Sequence, residues 1–153
     1  MKDKLFGIIL LLVASLLLTG CTTKEVISAE DFKFVTEEYG YTVQDDTESY
    51  QMQTSFEKVL IATKKDDIYQ IEYYEFSDEE TAIQIYENQK MTIEGTSEVS
   101  SHKSIEAMNY DKYEQTSDIN YGVVVRVENT LIHAIVNIEH KKEIQEILEK
   151  LNY

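Results

Sequence analysis

The pattern that most constrains the fold is an alternation of apolar residues over two neighbouring segments, 121–127 and 131–138. Both segments are rich in β-branched residues, which favour strands. A two-residue loop at Glu128-Asn129 or Asn129-Thr130 can join them, because asparagine tolerates a left-handed backbone. Either loop predicts a hairpin with one continuous apolar face. That face consists of Tyr121, Val123, Val125, Val127, Ile132, Ala134, Val136 and Ile138.

The opposite face of this hairpin is mixed, so we expect it to be partly hydrated or covered by another element. It carries Arg126, the only arginine in the chain, together with His133 and several apolar residues. Arg126 and His133 together would form a cationic spot that could bind a carboxylate or phosphate group. The alternative is an arginine that is paired with a neighbouring glutamate.

The first and the last helix are predicted from different signals. Ser28 and Asp31 occupy the positions of a capping box, and Gly40 can end the helix, so the sequence predicts a helix over 29–39. Near the end of the chain, apolar residues follow the i, i+3, i+4, i+7 spacing of a helix with one buried face. They are Ile144, Ile147, Leu148 and Leu151.

A second hairpin and a third helix are predicted in the middle of the chain. The segments 58–64 and 68–76 are typical of strands, with a turn near 65–67. A capping box at 77–80 then begins a helix over 78–91. The residues expected to face inward are Leu60, Ala62, Tyr69, Ile71 and Tyr73 in the hairpin, and Ala82, Ile83 and Tyr86 in the helix.

These elements predict an α+β fold, in which an antiparallel sheet of about four to seven strands carries about three helices packed mainly on one face. Further short strands are expected at 98–105 and 108–115, and 45–55 is expected to be a loop. Each hairpin is followed at once by a helix, which is consistent with two ββα units, 58–91 and 120–151. Residue identity between the two units is poor, and this favours a shared architecture over duplication.

The first twenty-one residues have the properties of an export signal. Lys2 and Lys4 precede an apolar run of fourteen residues, 5–18, whereas a membrane-spanning helix needs roughly 20. The run ends in Leu18-Thr19-Gly20-Cys21. Cys21 is the only cysteine, so it has no disulfide partner within the chain.

The segment Leu18-Thr19-Gly20-Cys21 resembles the lipobox of bacterial lipoproteins, in which a leucine and two small residues precede an invariant cysteine. The resemblance implies a covalent diacylglycerol on the Cys21 sulfur, optional N-acylation, and cleavage after Gly20. The chain would then be anchored on the outer face of the cytoplasmic membrane, or in the outer membrane of a Gram-negative cell. The alternatives are an uncleaved apolar anchor and a secretory signal with a chance cysteine.

This interpretation divides the chain into a signal peptide (1–20), a lipidated cysteine with a short tether (21–27) and a single acidic domain (28–153). A lipobox followed by one small acidic domain is similar to the organisation of many small, uncharacterised lipoproteins of Gram-positive bacteria. The resemblance covers the export segment and implies no functional residue beyond Cys21.

The charge of the chain limits its partners. Without the signal peptide, 12 basic and 28 acidic residues remain, a formal charge of −16 against −15 for the whole chain. This argues against nucleic acid and against a domain lying flat on anionic lipid, and it leaves basic partners open. The remaining 133 residues suit one domain, and they are few for the two lobes of a transporter's solute-binding subunit.

The sequence contains no motif that predicts a catalytic residue, a metal site or a non-covalent cofactor. His102, His133 and His140 lack the spacing of a metalloprotease motif, and no nucleophile elbow, phosphate-binding loop or EF-hand loop occurs. Tyr110 and Tyr113 lie in a polar segment and could form a platform for a glycan. Tyrosine is also an ordinary residue of half-buried strands.

The leading hypothesis is therefore a non-catalytic binding or interaction module, anchored at the cell envelope, that meets an envelope protein, a peptide or a wall polymer. The alternatives are a carboxylate-based envelope hydrolase and a lipoprotein that binds a small ligand. A concave site with Arg126, His133 and aromatic residues would favour ligand binding. Two converging carboxylates in a deep cleft would favour catalysis.

Overall fold

The computed structural model describes residues 23–50, 56–65, 68–96 and 99–153. Over these ranges the chain forms one antiparallel sheet of seven strands and four α-helices. The strands are β1 (Thr42–Asp45), β2 (Phe56–Thr63), β3 (Gln70–Phe76), β4 (Ser101–Glu106), β5 (Tyr110–Thr116), β6 (Asn120–Val127) and β7 (Thr130–Asn137). The helices are α1 (Ala29–Glu38), α2 (Thr47–Tyr50), α3 (Glu79–Glu94) and α4 (Lys141–Lys150), and a 3-10 turn at Ile138–His140 precedes α4. The predicted α+β class is confirmed.

The sheet consists of two meanders that meet at its centre. The strand order is β1-β2-β3-β7-β6-β5-β4, and every neighbouring pair is antiparallel. β3 and β7 join the meanders, with Ile71 opposite Ala134 and Tyr73 opposite Ile132. The connection from β3 to the edge strand β4 runs through α3, which crosses one face of the sheet and contacts β3, β7, β6 and β5.

Each face of the sheet has its own apolar core, because the central strands carry large apolar residues on both sides. The first core lies between the sheet and helices α1 and α4, whose residues Phe32, Val35, Ile144 and Ile147 are buried there. The second core lies beneath α3 and includes Val124 and Leu131 of the sheet, with Ala82, Tyr86 and Ile93 of the helix. Two of the three longer helices thus share one face, and α3 covers the other.

The hairpin of β6 and β7 confirms the predicted pattern of faces. Val127 pairs with Thr130, so the loop is Glu128-Asn129. The positive φ of 50° falls on Glu128, although the sequence suggested the asparagine. All eight predicted apolar residues contact the first core, with Ile138 only partly buried. The mixed face is covered by α3.

The other predicted elements are mostly confirmed, with shifts of a few residues. The Ser28–Asp31 capping box is present: Ser28 Oγ accepts from Asp31 N at 3.1 Å, and Asp31 Oδ2 accepts from Ser28 N at 3.0 Å. The cap of α3 is Asp78, which accepts from Thr81 N, and it replaces the predicted Ser77.

Two predictions were wrong in detail, and one strand was missed. Ile83 was expected to face inward but is 42% exposed, because the buried face of α3 consists of Ala82, Tyr86 and Ile93. Within the predicted loop 45–55, Thr47–Tyr50 is helical. The edge strand Thr42–Asp45 was not predicted, since it is short and largely exposed.

Candidate functional site

Arg126 lies on β6 beneath α3, and its side chain is 3% exposed. Its Nε donates to Asp111 Oδ2 at 2.7 Å, and its Nη2 lies 2.6 Å from the same oxygen. Its Nη1 donates to Glu79 Oε1 at 2.8 Å and to the Glu128 carbonyl at 3.0 Å. Asp111 is directly opposite Arg126 in the register of β5 and β6. The arginine thus fastens the start of α3 to the sheet, and these contacts favour the paired alternative over a ligand clamp.

His133 forms a second buried pair on the same face. Its Nδ1 lies 2.8 Å from Glu72 Oε2, and Glu72 is its direct partner across β3 and β7. Tyr74 OH donates to the same oxygen at 2.8 Å. Burial acts to raise the pKa of Glu72, but the hydrogen bonds from His133 and Tyr74 outweigh it, so this pKa lies below its ordinary value. Glu72 is therefore a stable carboxylate at neutral pH.

The second ring nitrogen of His133, Nε2, is buried and has no hydrogen-bond partner within the described ranges. A histidine that is held by a hydrogen bond to a glutamate is an arrangement that can serve as a general base. Because Nε2 is shielded from solvent, a substrate could reach it only after the surrounding structure opened. The arrangement suits a structural pair better than an open catalytic site.

Arg126 and His133 are brought to one face but do not form a shared cationic spot. Arg126 is opposite Leu131 and His133 is opposite Val124, so the two are diagonal neighbours on the hairpin. Arg126 is paired with Asp111, and His133 is paired with Glu72. The predicted joint site is therefore divided into two separate charge pairs.

Tyr110 and Tyr113 are three positions apart on β5, and their side chains therefore belong to opposite faces of the sheet. Tyr110 joins the first core and Tyr113 joins the second, and both are buried. The two rings cannot form one glycan platform. Their positions agree with the alternative that they are ordinary strand tyrosines.

Sequence reasoning missed the attachment of the N-terminal segment, which we call the N-terminal clamp: Lys24, Asn109, Tyr110 and Asn152. Lys24 N donates to Asn109 Oδ1 at 3.2 Å, and Asn109 Nδ2 donates to the Lys24 carbonyl at 2.8 Å. Lys24 Nζ donates to the Asn152 carbonyl at 2.6 Å and lies 4.6 Å from the centre of the Tyr110 ring. Both the backbone and the ammonium group of Lys24 are thus held.

A second contact holds the chain just before α1. The Ile27 carbonyl accepts from Tyr73 OH at 3.2 Å. Residues 24 and 27, which were predicted to lie in the tether, therefore belong to the folded domain. Cys21 itself, with the predicted signal peptide, lies outside the described residues.

A polar cluster at the other end of the sheet was also missed. Lys64 Nζ lies 2.7 and 2.8 Å from the two carboxylate oxygens of Glu143, and Tyr41 OH donates to Glu143 Oε1 at 2.7 Å. Burial raises the pKa of Tyr41, so this tyrosine keeps its proton and acts as a donor. The cluster therefore anchors α4 to β1 and β2.

Adjoining shallow cavities form a surface that we call the acidic groove, between the start of α1 and the start of β2. One cavity has a volume of about 580 Å³ and is lined by Glu30, Glu57 and Glu75 around Lys58. Lys58 is paired with Asp45 at 2.6 Å, which leaves the walls predominantly negative. The groove can accommodate a cationic side chain or a basic peptide segment.

Two general findings concern metals and membranes. Among residues 23–50, 56–65, 68–96 and 99–153, no group of three or more His, Cys, Asp or Glu is placed to hold a metal ion. In the same part of the chain, no helix combines the length and the apolar character needed to cross a bilayer.

Comparison with known proteins gives one weak likeness. No protein-family model matches the chain, and no curated protein matches it. Among solved structures, the chain is similar to the crystal structure of a GTP binding regulator from Thermotoga maritima, with 19% identity and a TM-score of 0.46. The alignment covers 84% of this chain and 87% of that one.

Proposed function

We propose that this protein is a lipoprotein anchored through Cys21 on the outer face of a bacterial membrane, and that its domain is a non-catalytic interaction module. The observation that carries the proposal is the lipobox, Leu18-Thr19-Gly20-Cys21, which contains the only cysteine of the chain. Two acyl chains on one residue satisfy the requirement for stable anchoring, since each buried CH₂ contributes about 0.8 kcal/mol.

The pairing of the buried and partly buried charges supports a non-catalytic role. Arg126 is paired with Asp111, His133 with Glu72, and Lys64 with Glu143. Each pair joins two segments that are far apart in the sequence or lie on different elements, so these charges hold the fold together. Catalytic groups would instead need access to a substrate.

The acidic groove and the net charge indicate the class of partner. With a formal charge of −16 after signal removal, the domain repels nucleic acid and attracts cationic partners. The groove offers Glu30, Glu57 and Glu75 at one accessible place. We infer a basic segment of an envelope protein or peptide as the partner.

The anchor is tested by replacing Cys21 with alanine. Metabolic labelling with a fatty-acid analogue should disappear, because the thiol that receives the lipid is gone. The protein should then be uncleaved or recovered in the soluble fraction. Thr22→Ala, next to the same site, keeps the thiol and should be labelled as the wild type is. Persistent labelling of the Cys21→Ala variant would overturn the anchor.

The partner class is tested with a fluorescent oligolysine peptide. Reversing two groove charges, Glu30→Lys with Glu57→Lys, should weaken binding about tenfold, which corresponds to about 1.4 kcal/mol. The control, Glu87→Lys with Glu149→Lys, makes the same change in net charge at exposed positions on α3 and α4. Equal loss of affinity in the two double variants would show that only the overall charge attracts the peptide, and it would refute the groove as the binding site.

A further inference from the structure

The N-terminal clamp determines how far the domain can stand from a lipid on Cys21. Only Thr22 and Thr23 separate Lys24 from that cysteine. The three steps of chain from Cys21 to Lys24 reach at most about 10 Å when fully extended. A free tether of six residues, 22–27, would have allowed about 20 Å.

The clamp also determines which part of the domain lies next to the anchor. Lys24 is bound to Asn109, in the turn between β4 and β5, and to Asn152, which follows α4. The Asn109 carbonyl accepts from Glu128 N at 2.9 Å, so the loop between β6 and β7 lies at the same end. We call the residues 107–109, 128–129 and 152–153 the anchor-side edge.

We propose that the anchor-side edge rests on the bilayer surface, with Met108 in contact with lipid and the strands pointing away from the membrane. This inference rests on the proposed lipid anchor at Cys21, and it adds the orientation of the domain and a second contact with lipid.

The exposure of Met108 supports this orientation. Its side chain is 79% exposed in the turn beside Asn109. Exposure of a large apolar side chain to water is unfavourable relative to its burial. At a membrane interface, the same side chain can be buried among headgroups and acyl chains.

The charges at this edge explain why the contact is made end-on. Glu25 and Glu128 are both exposed near the clamp, so anionic lipid does not attract this edge. A short anchor can hold a small edge at the surface against that repulsion. A domain lying flat would bring many more of its acidic side chains to the lipid.

The absence of tryptophan from the sequence permits a direct test. Met108→Trp and Ile119→Trp each introduce a single tryptophan at an exposed position, whose emission can be excited separately from that of the tyrosines. Ile119 is 65% exposed in the turn between β5 and β6, at the far end of strands that are about 25 Å long. The mature, lipidated variants, which begin at Cys21, are reconstituted into phosphatidylcholine and phosphatidylglycerol vesicles that contain brominated acyl chains.

We expect tryptophan at position 108 to lose most of its emission and to shift to shorter wavelength, whereas tryptophan at position 119 keeps its emission. Adding Asn109→Ala to the Met108→Trp variant should reduce the quenching, because the two hydrogen bonds between Asn109 and the backbone of Lys24 are then lost and the clamp is weakened. Equal quenching at both positions, or stronger quenching at 119, would overturn the orientation.

Vesicle flotation separates the two levels of the proposal. A protein that floats with the vesicles but shows no quenching at 108 disproves the orientation and leaves the anchor intact. A protein that does not float disproves the anchor and the inference together. Amide hydrogen exchange on the unsubstituted protein gives an independent readout: on vesicles it should slow at 107–109 and be unchanged at 117–119.

Discussion

Replacing Arg126 by methionine is expected to lower the free energy of unfolding by about 3–5 kcal/mol, the usual cost of removing one partner from a buried ion pair. The substitution keeps the apolar stem but leaves the Asp111 carboxylate, 17% exposed, without its counter-charge. It also removes the donors to Glu79 and to the Glu128 carbonyl. Urea unfolding of a soluble form that begins at Thr22, followed by circular dichroism, measures the loss.

Two further variants show whether the buried charge causes this loss. Glu79→Gln changes the half-exposed partner of Arg126 and should cost less than about 1 kcal/mol, as for exposed pairs. Asp111→Asn combined with Arg126→Met should cost less than the sum of the two single substitutions, because no unpaired carboxylate remains. Strict additivity would contradict the assigned role of the pair.

Replacing Gly122 by alanine is expected to lower the free energy of unfolding by about 1–3 kcal/mol, the typical cost of overpacking a core. A Cβ at this position would lie 2.6 Å from Ile93 Cγ2 and 3.2 Å from Ile93 Cγ1. Ile93 is fully buried where α3 crosses β6. Strand preference alone would favour alanine over glycine. A loss of stability in Gly122→Ala would therefore show that the close contact with Ile93 outweighs this preference. Thermal and urea unfolding provide the measurement.

The control variant for Gly122→Ala is at the C-terminal cap of α3, and the compensating substitution is within this helix. Gly95→Ala, at the end of this helix, meets only ordinary contacts of 3.5 Å or more and should change stability by about 0.5 kcal/mol or less. Ile93→Ala removes both clashing carbon atoms, so Gly122→Ala should cost much less in that background than in the wild type. An unchanged cost would place the strain elsewhere.

Local patterns were sufficient to predict most elements of this fold. The capping box at Ser28 and the apolar spacing of α4 each involve residues within two helical turns. The faces of β6 and β7 follow from strict alternation and a short loop. The pair of Asp111 and Arg126 was within reach of the same reasoning, because β5 and β6 are consecutive and antiparallel.

Contacts between residues far apart in sequence could not be predicted in this way. The pairing of Glu72 with His133 requires β3 to lie beside β7, and alternation within a strand does not say which strand becomes its neighbour. The N-terminal clamp joins Lys24 to residues 85 and 128 positions away. The spacing of Tyr110 and Tyr113 is enough to place them on opposite faces of a strand, but their burial depends on α3 and on the first core, and the polar local sequence does not indicate either.

The strand order determines how late in synthesis this chain can complete its fold. β3 cannot pair with β7 until β7 is available, and β7 begins sixty residues after β3 begins. Residues of β7 also contribute to both cores. Contacts of such long sequence separation form slowly. A chain that crosses a membrane as an unfolded polypeptide would therefore stay largely open until its last strand and helix had emerged. Because the sheet is completed so late, the polypeptide would remain unfolded, and therefore able to cross the membrane, during almost the whole of translocation.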